Sequence, residues 1–359
     1  MLSLFFILGC SKQPTQIAQK QVTQNKRIPF DNKQEFMKQD ETQTFSAIEE
    51  QEDDSFKVAV VFPSKVVGKY AKDTINTVLA YMLHNNVKFK LEIFDSTNQD
   101  INNIQKTFDE VIVGKFDNVI ALYTQEALDN IFSMNKIEEL NIYMPLINKR
   151  DSKYDNKNVV YGGIDYDAQI SKLLTLSNKK NSIFYSNTNL GMKLKSYVEQ
   201  SNQDIRVVTK IDKRNNEFKK IVKKRGLNNS SLFLNTSIIK SSILLSQLRA
   251  HETVPYIILS TQLNYTPLVI SLTQYPDRKK FIVANSIEKT DLKLQESLAL
   301  LNVDIAYNWV NYSTLIGIDS IMNNDQSKLF PLKIQNNQVQ YGINLYKNTR
   351  HGFKKLRTN

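Results

Sequence analysis

Asp165 and Asp167, two positions apart and just behind the pair Gly162-Gly163, are the carboxylates whose spacing first suggests chemistry. Paired acids can divide general acid and base work between them. Placed ahead of an apolar helical pattern, they can equally cap that helix and favour its positive end. The three histidines, His84, His251 and His351, lie far apart beside polar residues. They lack the i, i+4 spacing that turns two ligands to one helix face, so they read as surface residues and no metal is expected. Neither phosphate-cradling motif, G-x-x-x-x-G-K-[ST] or G-x-G-x-x-G, is present, and neither is a G-x-S-x-G nucleophile elbow. No catalytic set and no cofactor is therefore expected. Lys219, Lys220, Lys223, Lys224 and Arg225 make a basic helix face, to be read as a solvated face or as a dock for an anionic surface.

The elements that must position these residues alternate in type. Residues 58–62 form a nearly unbroken apolar run, the pattern of a strand covered on both faces. A helical pattern follows to residue 82, then strands at 89–94, 118–123 and 141–147 with helices at 98–113 and 125–140. After 159–170 the rhythm restarts, with strands at 182–185, 205–211, 231–234 and 256–260 and helices at 190–200, 215–224 and 238–250. The class is α/β: two Rossmann-like lobes with parallel sheets. The stretch 159–170 reads as the crossing between lobes, with an ordinary turn inside one sheet as the alternative. Gly162 and Gly163 are expected there for backbone angles closed to other residues. Beyond residue 276 the pattern loosens into a strand at 281–284, helices at 292–300 and 305–322, and a hairpin turning at Asn336-Asn337. The first lobe is expected over 57–165 plus part of 285–325, and the second over 166–285 plus the C-terminal hairpin at 330–347.

Bulk properties narrow the partners. Hydrophobic residues make up 41% of the chain and the net charge is +11. The basic residues are spread along the sequence, so nucleic acid is not an expected partner. Residues 11–56 are polar and aperiodic and end in the acids Glu49, Glu50, Glu52, Asp53 and Asp54. Such a segment reads as a disordered tether with a mean reach of roughly 40 Å. The sole cysteine, Cys10, follows Leu4-Phe5-Phe6-Ile7-Leu8-Gly9. The segment 1–10 resembles the lipobox of bacterial lipoproteins, with a chance cysteine as the alternative. That resemblance implies acylation of Cys10 and a membrane partner, and Ser11 is compatible with the outer membrane rather than the inner.

Ligands of open α/β sheets sit off the carboxyl ends of the strands. In a two-lobed protein those ends share a cleft. The polar residues expected there are Ser64, Tyr123, Thr124 and Gln125 from the first lobe, and Ser186, Asn187, Asn235, Thr236, Thr261 and Gln262 from the second. Hydroxyl and amide groups suit a small polar ligand.

Two successive lobes with Asp165-Tyr166-Asp167-Ala168-Gln169, Ser182-Ile183-Phe184-Tyr185, Leu232-Phe233-Leu234 and Val254-Pro255-Tyr256-Ile257 resemble the type I periplasmic binding proteins. The tail, Gly317-Ile318-Asp319-Ser320 and then Gln338 to Lys347 followed by Gly352, is similar to the LpoA-type lipoprotein activators of penicillin-binding proteins. In the best-known activators a helical-repeat domain precedes this one, and here the tether occupies that place. The resemblance implies a non-enzymatic, lipid-anchored periplasmic regulator at the cell wall with a class A penicillin-binding protein as partner. The alternative is a periplasmic receptor for a small polar solute, an amino acid or peptide.

Overall fold

The apolar run near residue 58 forms strand β1 (Phe56–Phe62), whose alternate side chains enter two different cores: Val58, Val60 and Phe62 one, Ala59 and Val61 the other. This is strand β1 of a computed structural model that describes residues 55–134, 136–214, 217–323 and 328–357. Cys10 and nearly all of the expected tether lie outside the described residues. Helix α1 (Ser64–His84), strand β2 (Phe89–Asp95), helix α2 (Ile101–Val113) and strand β3 (Asn118–Ala121) follow. Helix α3 (Leu128–Phe132) leads to β4 (Asn141–Met144) and β5 (Val159–Tyr161). All these strands run parallel.

Past residue 165 the chain builds a second sheet. Its elements are α4 (Tyr166–Leu174), β6 (Lys180–Ser186), α5 (Asn189–Glu199), β7 (Asp204–Ile211), α6 (Phe218–Val222), β8 (Ser231–Asn235), α7 (Ile238–Ala250), β9 (Ile257–Ser260), α8 (Leu268–Leu272), α9 (Tyr275–Arg278) and β10 (Phe281–Asn285). Leu232 and Leu234 enter the core beneath α7, and Phe233 the core beneath α4 and α5. The period of two that splits β1 between layers therefore recurs here. The chain then returns to the first lobe with α10 (Leu292–Ala299) and α11 (Trp309–Met322), which pack on α1 in the first core. Strands β11 (Ile334–Gln335) and β12 (Gln338–Val339) complete the first sheet, in order β11-β12-β5-β4-β3-β1-β2. Strands β13 (Asn344–Asn348) and β14 (Phe353–Lys355) complete the second, in order β14-β13-β10-β9-β8-β6-β7.

The segments on either side of Gly162 thus lie in different sheets, and the chain passes between lobes three times, at 162–165, 286–291 and 340–343. Four expectations change. The hairpin at Asn336-Asn337 forms, with φ of 49° and 60° as a two-residue primed turn requires. However, its strands extend the first sheet, because Gln338 pairs with Tyr161 of β5; only the next strand, β13, joins the second, against β10. The helix expected over 125–140 is broken into α3 and two short 3₁₀ turns, with Lys136 in the left-handed region at φ 66°. The basic helix expected over 215–224 contracts to the five residues of α6. Gly162 and Gly163 are glycines for space, not for backbone angle, since neither has positive φ. A Cβ on Gly162 would collide with the Tyr143 phenol and Ser313, and one on Gly163 with the backbone of Ile147 and Asn148.

Candidate functional site

The carboxyl ends of the parallel strands in both sheets point to the crossings, and a cleft of about 1010 Å³ opens there between the lobes. Its first-lobe wall comes from the segments after β3 and β4. Thr124 is fixed by Gln99, whose Oε1 accepts from both its N–H and its hydroxyl at 2.9 Å. Asn148 caps the turn Lys149–Asp151 by accepting from the Arg150 N–H at 3.0 Å, and its amide donates to the Gly163 carbonyl at 3.0 Å. That cap sets Arg150 and Asp151 facing the second lobe. The opposite wall is the first turn of α5, started by Thr188, whose hydroxyl accepts from the Gly191 N–H at 3.1 Å. Asn189, Leu190 and Lys193 line the cleft from this helix.

An ion pair and a hydrogen bond cross the gap. Lys193 Nζ lies 2.5 Å from Asp151 Oδ2, and Asn189 Nδ2 donates to Glu126 Oε1 at 2.8 Å. Arg150 pairs with both Asp165, at 3.3 Å, and Asp167. Asp165 also caps α4, accepting from the Ala168 N–H at 2.8 Å. Tyr197 stands beside this group. Burial and the charges of Asp151 and Asp167 push its phenol up to about 12, with Arg150 opposing. Among the described residues no group of three or more His, Cys, Asp or Glu side chains could hold a metal ion.

The ten residues expected in the cleft are distributed unevenly. Thr124 and Gln125 line it. Ser64 is exposed at the start of α1, its N–H donating to Asp95 Oδ1 at 2.9 Å. Tyr123 is fully buried and donates to Ser96 Oγ at 2.9 Å. Ser186 is half-buried and Asn187 is exposed, donating to Asp212 at 3.3 Å. Asn235, Thr236, Thr261 and Gln262 are buried together at the ends of β8 and β9. There Thr236 Oγ1 lies 2.8 Å from Ser241 Oγ, and Asn264 Nδ2 donates to the carbonyls of Leu234 and Thr236 and to Ser260 Oγ. Gln262 belongs to a ring: its N–H donates to Gln169 Oε1 at 2.8 Å, Gln169 Nε2 to Ser286 Oγ at 2.9 Å, and the Ser286 N–H to Gln262 Oε1 at 2.7 Å. This ring ties α4 and the end of β9 to the second crossing.

Sequence reasoning missed Glu126, Arg150, Asp151, Asn189 and Lys193 as cleft residues. The available signal was the charged triplet Lys149-Arg150-Asp151 immediately beyond the fourth apolar strand. At the first crossing, the Gly162 carbonyl accepts from Ser313 Oγ at 2.8 Å and Tyr341 Oη at 2.9 Å, so first and third crossings are pinned together. Burial pushes the Tyr143 phenol, 3.2 Å from Ser313 Oγ, up to about 12, and holds Tyr341 well above the usual range.

No family model matches the sequence, and no curated protein does. Solved structures do match. A putative branched-chain amino acid ABC transporter protein from Rhodospirillum rubrum aligns with a TM-score of 0.62 at 10% identity, covering 84% of this chain and 100% of that one. The fold is that of the type I periplasmic binding proteins. An ABC-transporter solute-binding protein from R. palustris, in complex with 4-hydroxybenzoate, gives 0.60 at 13% identity over 84% of this chain and 96% of that one. Full-length LpoA from Haemophilus influenzae gives 0.59 at 11% identity, covering 84% of this chain and 59% of that chain. Within the type I binding-protein fold this cleft is the space between the lobes, bordered by the three crossings. No described helix is long and apolar enough to cross a membrane.

Proposed function

We propose that the chain acts by binding, not catalysis, as a periplasmic receptor whose lobes close on a small polar solute, an amino acid or short peptide. The observation that carries this reading is the charge pattern of the cleft. Charges from both lobes, Glu126, Arg150 and Asp151 of the first against Lys193 of the second, line one space of about 1010 Å³ together with the neutral amide of Asn189. Neighbouring groups of opposite sign match a zwitterion, and rotation about the crossings would let them grip it. The solute-binding neighbours among the solved structures support the same reading. Thermal-shift screening against amino acids and short peptides tests it, since a ligand at saturating concentration stabilises a receptor by about 2 to 4 kcal/mol. If none of these compounds raises the melting temperature, the reading falls.

A second reading rests on a different observation: Lys193 with Asp151, and Asn189 with Glu126, already bridge the lobes through the protein's own side chains. A body locked this way suits a regulator that is itself gripped, resembling the penicillin-binding-protein activators, lipid-anchored through Cys10 at the outer membrane. Pull-down with a class A penicillin-binding protein tests it. No enrichment, together with unchanged transglycosylase and transpeptidase rates, rejects it.

A further inference from the structure

Strand β2 closes the first sheet, and among the described residues it has a neighbouring strand on the β1 side alone. It contains no proline, and its pairing with β1 runs without a bulge from Phe89 to Asp95. An edge of this kind presents a row of backbone donors and acceptors to any second strand. The other parallel edge, β7, is partly shielded: Gly226 packs against Arg206 and Val207, and Lys224 donates to Thr209 Oγ1 at 2.9 Å.

The residues of β2 read the same way in both directions by polarity, while their charges exchange sign. Around Leu91 they run Phe89-Lys90-Leu91-Glu92-Ile93. Lys90 and Glu92 project from the α2 face, 3.4 Å apart, with side chains 51% and 47% exposed. Lys90 is steadied over the Phe116 ring at 4.8 Å. On the opposite face Phe89 and Leu91 are half-buried, and Ile93 is 49% exposed.

We propose that β2 is a dimerisation edge that pairs antiparallel with the β2 of a second copy of this chain across a twofold axis at Leu91. In that register each Lys90 faces the second copy's Glu92, and each Phe89 faces its Ile93. Leu91 meets Leu91 on the axis. Opposite charges and apolar residues directly across an antiparallel pair stabilise it, and like charges destabilise it. A twofold contact requires a surface complementary to itself, which this five-residue pattern supplies. The strand edge alone is smaller than a stable dimer contact, which buries about 1,200 Å² or more. The flanking groove of about 670 Å³ between β2 and α2, lined by Glu92, Phe94, Lys106, Glu110 and the 83% exposed Val113, extends it. The result is a reversible dimer in the micromolar range or weaker.

Sedimentation equilibrium of the full chain tests this, with Cys10→Ser in every version so that no acyl group contributes. The expected result is a concentration-dependent dimer. Lys90→Glu alone, or Glu92→Lys alone, sets like charges against each other at both ends of the pairing and weakens it by about tenfold or more. Mixing the two single variants is expected to give a heterodimer of near-original affinity, and the exchange Lys90→Glu/Glu92→Lys a restored homodimer. Both recoveries also show that the variants are folded. A monomer at every concentration overturns the proposal, and so does a dimer that the single reversals leave unchanged. None of these outcomes depends on whether the cleft binds a solute.

Discussion

The two lobes finish their sheets differently at the cleft. In the first, side chains from the loops reach over the strand ends: Gln99 holds Thr124, Ser96 accepts from Tyr123, and Asn148 ties the 149–151 turn to Gly163. In the second, a pocketful of amides and hydroxyls is buried instead. Asn264 makes three bonds there, yet both side-chain polar atoms of Asn235, the Thr261 hydroxyl, the Gln262 amide nitrogen and the Asn264 carbonyl oxygen have no protein partner. The first lobe therefore meets the cleft with a finished polar surface and fixed charge. The second keeps unused hydrogen-bonding capacity beneath its surface, where each unpaired group costs about 1–3 kcal/mol.

Substitutions can break or sharpen that contrast. The largest effect is expected where the lobes join. Gly163→Ala drives a methyl into the backbone of Ile147 and Asn148 and should cost about 3 kcal/mol in urea denaturation, disturbing both lobes at once. Alkaline pH acts at the same crossing. Tyr143 and Tyr341 lose protons less readily folded than unfolded, so above pH 10 the unfolded chain binds fewer protons and stability falls as pH rises. The loss attributable to Tyr143 should reach roughly 2 to 3 kcal/mol by pH 12, and Tyr143→Phe should flatten that limb of the pH–stability curve.

Next in size, Asn264→Ala removes the donor shared by the Thr236 and Leu234 carbonyls and Ser260 Oγ in the second lobe, for an expected loss of about 2 kcal/mol, although Ser260 still donates to the Leu234 carbonyl. The smallest effects test the contrast most sharply. Tyr123→Phe removes a made bond in the first lobe and should cost about 1 kcal/mol, whereas Asn235→Leu removes unpaired groups in the second and should be neutral or stabilising by about 1 kcal/mol. Equal losses from the two would show that the lobes do not differ in this respect.

Much of the architecture was legible because apolar runs and turn residues carry it locally. The run at 58–62, the triplet Leu232-Phe233-Leu234 and the helix at 238–250 fall where the pattern placed them. Asn336-Asn337 was readable as a turn because asparagine tolerates positive φ. What each turn's strands pair with was not readable. The β11-β12 hairpin joined the first sheet through a single parallel pairing to Tyr161, a contact no local pattern encodes. The helix expected to run on to residue 140 stops at Phe132, and Lys136 beyond it adopts a left-handed conformation, although lysine is a good helix former.

The sequence by itself determined the two-lobed α/β plan, because a doubly covered strand needs a continuous apolar run and a helix needs its stripe. It also determined which polar residues would stand near the strand ends. Only the tertiary structure decided that Asp151 would meet Lys193 and Glu126 would meet Asn189. Those pairs join turns of the first lobe to the first two turns of α5 in the second, and their meeting depends on how the two sheets are placed, which no local pattern at either end encodes.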